Sequence, residues 1–311
     1  MTSLTTRFVR AYPPAEALPD ADAFWLPFED GELLARSAGA NGELALVHGG
    51  KSALGGLTLA GEPLYLGTLD GTPCLAVELA APDDAADPSA DQVPPPGDTP
   101  NLVRVGLRAL YGRLDAAAYA LAGYASQLLH WRRISRFCPA CGQATEGVEN
   151  TWGRRCSACG HVAYPPVSPA VLVLVHDGAD HVLLAAKSGW GTRYSILAGF
   201  VEPGESLEEY CIREVMEEAG VPIADLVYAG SQPWPFPHQV MVGFNARFAG
   251  PNPPTQADLR LDETELARAD WFRHDALPEL PPPLSLSRQM IDAWQHARAN
   301  PEPSALLQQQ S

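Results

Sequence analysis

Apolar and polar positions alternate along this chain with two different periods. In the first eighty residues, short apolar runs at 43–48, 63–69 and 73–79 are separated by Gly, Asp and Asn. That pattern predicts a β-rich N-terminal region in which Trp25 and Phe28 serve as packing residues. Residues 81–100, APDDAADPSADQVPPPGDTP, hold too little apolar surface for a core and read as a solvated loop. Periodicity then turns helical. Leu114, Ala118, Leu121, Tyr124 and Leu128 line one face of a helix that Asp115 caps and that runs to about Arg133. The continuous apolar run at 169–175 predicts a central buried strand. His176-Asp177-Gly178 makes a turn, and 181–186 returns as a second strand. Further strands are expected at 226–229, 240–248 and 270–272, and an amphipathic helix carrying Met290, Ile291 and Trp294 at 284–299.

Between these strands lies a short helix, 206–219. Ser206 is a good N-cap, and Glu209 three residues on completes a capping box. Gly220 sits where a left-handed residue ends a helix, and Pro222 blocks continuation. Ile212, Val215, Met216 and Ala219 follow i, i+3, i+4, i+7 spacing and are expected to form its buried stripe, with Glu214, Glu217 and Glu218 on the other side. A bare run of glutamates is most often a solvated face. Like charges at this spacing repel in water, however, and become favourable around divalent cations such as Mg²⁺, which take carboxylate and phosphate oxygens.

Composition narrows the classes. The 311 residues suggest about two domains, and 46% hydrophobic content is enough for buried cores. No apolar run is long enough to span a membrane, and the N-terminus shows no secretory h-region, so a cytoplasmic location is expected. A net charge of −16 argues against general nucleic-acid affinity. It is unevenly spread: residues 101–160 hold eight arginines and three acids, a local net of about +5. That segment is either ordinary surface charge or a docking patch for phosphate or an RNA end. His48-Gly49-Gly50-Lys51 lacks the spacing of a phosphate-binding loop and reads as a glycine turn.

Four of the six cysteines form two CxxC pairs, Cys138/Cys141 and Cys156/Cys159, with 14 residues between them. Gly142 and Gly160 follow, as the turn of a zinc knuckle needs. Four thiolates give one Zn²⁺ a closed tetrahedral site with no open position, which is structural rather than catalytic. A redox dithiol is disfavoured because neither pair opens a helix after a strand. Direct contact of the ribbon with nucleic acid stays open.

The spacing of Gly199, Glu205, Arg213-Glu214-Val215, Glu217-Glu218 and Gly220-Val221 resembles the Nudix box at every defined position. The resemblance implies an α/β/α sandwich around a mixed sheet. It also implies that Glu214, Glu217 and Glu218 ligate metal, with one of them a candidate for the base, and that Glu205 and Arg213 form a structural ion pair. Just past the box, Ser231-Gln-Pro-Trp-Pro-Phe-Pro237 has prolines at alternate positions, which fix an extended segment displaying Trp234 and Phe236. Rigid aromatics suit stacking on planar heterocycles, or packing into a core. This array, downstream of a zinc ribbon, resembles the NADH pyrophosphatase (NudC-type) family of Nudix hydrolases over about residues 135–297.

That resemblance implies hydrolysis of NADH or NAD⁺ to (reduced) NMN and AMP with two or three Mg²⁺ or Mn²⁺ ions, and removal of NAD caps from RNA. It implies a homodimer whose shared pocket sandwiches the base between Phe200 and Tyr164 of the two chains. Glu265 resembles a further acid near the metals, Ser287 a small residue lining the nucleotide site, and Gln232 a specificity contact. Two positions depart from the family pattern: Gln239 stands where a serine is usual, and Tyr164-Pro-Pro-Val replaces the commoner Tyr-Pro-Arg, so substrate preference is open. The expected layout is an N-terminal β-rich domain (1–134), a zinc ribbon (135–165), a Nudix domain (166–300) and a tail (301–311). Rival readings are a broader dinucleotide hydrolase, or a nucleotide-sensing module without catalysis, whose signature would be eroded glutamates.

Overall fold

The computed structural model describes residues 7–12, 22–39, 41–80, 101–251 and 253–300. The predicted loop at 81–100 and the tail at 301–311 lie outside the described residues. The chain divides into two compact units, Met1–Pro166 with Pro235–His238, and Val167–Trp234 with Gln239–Ser311.

In the first unit, β1 (Phe8–Arg10), β2 (Ala23–Glu29), β3 (Glu32–Ser37), β4 (Leu44–Ala45), β5 (Val47–Gly49), β6 (Leu64–Leu69), β7 (Thr72–Glu78) and β8 (Leu102–Val105) build one sheet. Its path is β1-β6-β7-β2-β3-β4, with β5 on β2 and β8 on β3. Trp25 and Phe28 are buried, as their packing role requires. A short helix, α1 (Leu107–Leu110), precedes α2 (Ala116–Ile134). Asp115 caps α2 by accepting from the amides of Ala117 and Ala118. Leu121, Ala125 and Leu128 of α2 pack in one cluster with Leu26, Leu33 and Leu66 of the sheet. Full burial of each leucine contributes roughly 1.5–3 kcal/mol.

The ribbon strands β9 (Thr145–Gly147), β10 (Arg154–Cys156) and β11 (Val162–Ala163) follow. They attach to α2 through tryptophan. Trp131 donates its indole N–H to the Trp152 carbonyl (2.7 Å), and Trp152 donates to the Tyr124 hydroxyl (3.1 Å). Buried indole donors need such partners.

The second unit holds β12 (Ser168–His176), β13 (His181–Ala186), β14 (Leu197–Phe200), α3 (Leu207–Ala219), β15 (Ile223–Trp234), β16 (Gln239–Phe248), β17 (Arg268–Arg273) and α4 (Leu286–Ala299). The sheet order is β15-β16-β12-β13-β17, with β14 on β12. The β12–β16 pair is parallel and the other pairs antiparallel, so the sheet is mixed. Its central strand explains the unbroken apolar run. Val171, Val173 and Val175 join the cluster that contains Tyr210, Cys211 and Val215 of α3. Leu172 and Leu174 join Leu286, Met290 and Trp294 of α4. A period of two splits one strand between two helical layers.

Two sequence expectations change. The strand expected at 226–229 extends from Ile223 to Trp234 and takes in the start of the proline array. β15 is an edge strand, where Pro233 leaves no ladder bond unmade. The buried face of α3 is also rotated. Ile212 and Met216 are exposed at 51% and 46%, whereas Tyr210, Cys211, Val215, Glu218 and Ala219 are buried. At about 100° per residue these five define one arc, and Glu218 falls near its centre. Aromatic Tyr210 and small Cys211 fill the sheet-facing side better than Ile212 and Met216, and the carboxylate of Glu218 is carried inward with them.

Candidate active site

The loop into α3 is fixed before the helix begins. Ser206 and Glu209 form the expected capping box, and Gly220 ends the helix in the left-handed conformation. Arg213 grips Glu205 with two parallel bonds, 2.9 Å from Nε and 2.7 Å from Nη2. The Glu202 amide also donates to Glu205, at 2.7 Å. Arg213, first, and then that amide hold the Glu205 carboxyl down to about 2. The pair is thus a loop-to-helix clasp, and it does more than expected. Nη1 of the same guanidinium reaches Glu214 at 3.0 Å and Glu217 at 2.7 Å. One fork aligns two of the predicted ligands.

Gly199 lies where β14 meets the helix. A Cβ there would overlap the Glu214 carboxylate and stand 2.7 Å from the Tyr210 hydroxyl. Absence of a side chain at 199 lets Glu214 lie against the strand.

Glu218 is the third ligand candidate and is only 3% exposed. Its Oε2 has no hydrogen-bond partner among the described residues, and its Oε1 lies 3.7 Å from Lys187 Nζ. Burial pushes its carboxyl up to about 7, with Glu214 and Glu265 adding to the rise and Lys187 opposing it. Lys187 is also 3.1 Å from Glu265. Backbone bonds place Glu265 beside α3: Arg260 donates to the Ala219 carbonyl (2.8 Å) and Asp262 to the Glu218 carbonyl (3.0 Å). Glu214, Glu217, Glu218 and Glu265 are therefore hard oxygen donors drawn to one end of the sheet. One of them is buried with an unsatisfied acceptor, which suits a divalent cation. Among the described residues only the four ribbon cysteines bring three or more ligand atoms within 4.8 Å of one another; the glutamates are held by Arg213 and Lys187 instead. In the sequence Lys187 is one lysine after a strand and carries no signal.

The other expected contacts divide. Phe200 follows Gly199 and is 55% exposed. Trp234 closes β15 and is half-buried. Gln232 is occupied within the fold: its amide donates to the Leu284 carbonyl (2.9 Å) and accepts from the Leu286 amide (2.7 Å), tying β15 to the start of α4. Ser287 is buried, with its hydroxyl 2.9 Å from that of Ser285. Phe236 belongs to the first unit, packs against its core and carries the Arg108 guanidinium 3.8 Å above its ring. Of the two settings that rigid aromatics suit, its ring has the second, contact with a core. Tyr164 is also in the first unit, 59% exposed. Its ring lies over Gly153, where a Cβ would come within 2.9 Å of it.

The ribbon sulfurs of Cys138 and Cys159 lie 3.6 Å apart, and Cys141 is 3.5 Å from both Cys156 and Cys159. Tetrahedral zinc with Zn–S near 2.3 Å requires sulfur separations of about 3.8 Å. The Gly142 and Gly160 amides close each knuckle onto the carbonyls of Cys138 and Cys156, both at 2.9 Å. Backbone N–H groups, that of Cys159 first, pull the Cys156 thiol down, while the neighbouring sulfurs of Cys156 and Cys159 push Cys141 up, so the four sulfurs share their protons as one cluster. The donor set fits structural zinc.

A mixed sheet between α3 and α4, with a capped acidic helix at its end, defines a Nudix hydrolase domain, here accompanied by a zinc ribbon. Family models match all three parts. The NUDIX domain matches residues 166–294, the NADH pyrophosphatase zinc ribbon domain 133–164, and the NADH pyrophosphatase-like rudimentary NUDIX domain 22–131. The last gives the N-terminal sheet and α2 an ancestry that their β-rich pattern did not disclose. The chain is 38% identical over 240 residues to the NAD-capped RNA hydrolase NudC of Pseudomonas putida GB-1, covering 76% of this chain and 79% of that protein. It is 45% identical over 203 residues to the NudC of Pseudomonas syringae pv. tomato, covering 64% and 69%. The chain belongs to the NudC-type NADH pyrophosphatase family of Nudix hydrolases.

Proposed function

We propose that this chain hydrolyses the diphosphate of NADH or NAD⁺ to (reduced) NMN and AMP, and removes NAD caps from RNA 5′ ends. The observation that carries the reading is Glu218: a buried carboxylate with an unsatisfied oxygen, on the same helix as Glu214 and Glu217. Two or three Mg²⁺ or Mn²⁺ ions on Glu214, Glu217, Glu218 and Glu265 would neutralise the diphosphate and acidify a bound water. The chain's own residues do the rest. Arg213 fixes the rotamers of Glu214 and Glu217. The glutamates offer the carboxylate that takes the proton from water as the new P–O bond forms and the P–O–P bridge breaks. Phe200, with Tyr164 supplied by a second copy, offers aromatic surface to the base, and Trp234 further surface. This reading makes the enzyme a homodimer and cytoplasmic, with domains at 1–134, 135–165 and 166–300.

Turnover of NADH by the wild type and by Glu218→Gln, each with Mg²⁺ or Mn²⁺, tests the reading. The variant should lose orders of magnitude in rate with its fold intact. Near-normal turnover would overturn the metal-site assignment.

The capped-RNA branch has its own support in the exposed Arg155 of the ribbon. Much of the basic segment is committed internally, since Arg104 pairs with Glu29, Arg113 binds the Gly42 carbonyl and Arg132 the Glu62 carbonyl. If the remaining arginines hold RNA, turnover of NAD-capped RNA falls steeply with salt while that of free NADH does not.

A further inference from the structure

Lys187 is the first residue after β13, and its backbone is held on both sides. The Ala267 amide bonds the Ala186 carbonyl (2.9 Å), and the Trp190 amide bonds the Lys187 carbonyl (3.2 Å). From this anchored position the ammonium reaches two carboxylates of opposite character. Glu265 is 3.1 Å away with a side chain 55% exposed; Glu218 is 3.7 Å away with a side chain only 4% exposed. The lysine side chain itself is 37% exposed, so it sits at the rim with a free path to solvent. Both carboxylates belong to the set assigned above to divalent ions.

An ammonium and a divalent cation at the same oxygens oppose each other. Their like charges repel, and the Glu265 oxygen that accepts from Nζ at 3.1 Å is one a metal would use. Once its carboxylates are taken, the ammonium needs another anion, and the diphosphate is the anion that such a site admits. Lysine suits this exchange because it is a point charge on a flexible stem, whereas arginine is a planar fork suited to a fixed partner. The two cations of the site divide accordingly: Arg213 is braced by Glu205 from the loop side, whereas the ion pairs of Lys187 among the described residues are with Glu218 and Glu265.

We propose that Lys187 is an exchangeable counter-ion, competing with the divalent metal for Glu218 and Glu265 and passing to the substrate diphosphate when metal binds. The proposal rests on the reading that these glutamates hold the metal.

Mn²⁺ binding in the absence of substrate, followed by the electron spin resonance of free Mn²⁺, separates the two. Lys187→Met should bind Mn²⁺ about tenfold more tightly than wild type, and Lys187→Arg, which keeps the charge, about as wild type. The Michaelis constant of Lys187→Met for NADH should rise while kcat falls less. Lys187→Gln gives the same readout if the Met variant does not fold. Unchanged or weaker Mn²⁺ binding in a folded, uncharged variant overturns the role of Lys187. Unchanged Mn²⁺ binding in Glu218→Gln overturns the metal assignment beneath it.

Discussion

Gly199 and Glu214 occupy each other's space: the carboxylate of the helix residue fills the volume that a side chain on the strand residue would take. Gly199→Ala must therefore push Glu214 aside, and it also crowds the Tyr210 hydroxyl, which is buried without a hydrogen-bond partner among the described residues. The expected cost is about 1–3 kcal/mol of stability from overpacking. If Glu214 ligates metal as proposed, displacing it in this way should reduce turnover by about 10–100-fold. Thermal denaturation and NADH turnover on the same preparation check both.

Glu218 carries an opposite pair of effects. Its folded carboxyl titrates near 7, above its usual value of 4.5. Between those values the folded protein binds more protons than the unfolded chain, so stability falls as pH rises from about 4.5 to about 7 and is level beyond. Glu218→Gln removes that burden. In metal-stripped protein the variant should be more stable than wild type by about 1–3 kcal/mol above pH 7, with the advantage gone below about pH 4.5. Urea unfolding at a series of pH values in EDTA reads it directly.

Gly153 is a further close approach. Its added Cβ would meet Tyr164 Cε1 and Thr151 Oγ1, each at 2.9 Å. Gly153→Ala should swing the Tyr164 ring while leaving the cysteines bound to zinc. If Tyr164 sandwiches the base, the Michaelis constant for NADH rises several-fold with zinc content unchanged. Zinc analysis and steady-state kinetics together test this.

The ribbon should hold one zinc per chain, and Cys141→Ser should lose it. Because Trp131 and Trp152 link ribbon to α2 by a 2.7 Å bond, loss of the metal should also change tryptophan fluorescence. A metal-to-protein ratio near one in the wild type, against near zero in the variant, is the expected result.

Much of this fold is legible because the signals are local. The helix caps at Asp115, Ser206 and Gly220, the central apolar strand and the paired cysteines each encode their own geometry over a few residues. The buried face of α3 is not legible in hydropathy, which puts Ile212 and Met216 inward and glutamate outward. A carboxylate carried inward beside Tyr210 and Val215 reverses that rule, and Glu218 is the reversal. Lys187, Gln232 and Phe236 acquire their roles only through partners distant in sequence. Lys187 meets Glu218 and Glu265, Gln232 meets Leu284 and Leu286, and Phe236 meets Arg108. No spacing rule encodes such pairs.

Product analysis tests the central claim most directly. NADH is incubated with the full chain and Mg²⁺ or Mn²⁺, and the mixture is resolved by chromatography and mass spectrometry. AMP and reduced nicotinamide mononucleotide appearing in equal amounts is the predicted result. Intact NADH, or cleavage at any bond other than the diphosphate, would contradict it.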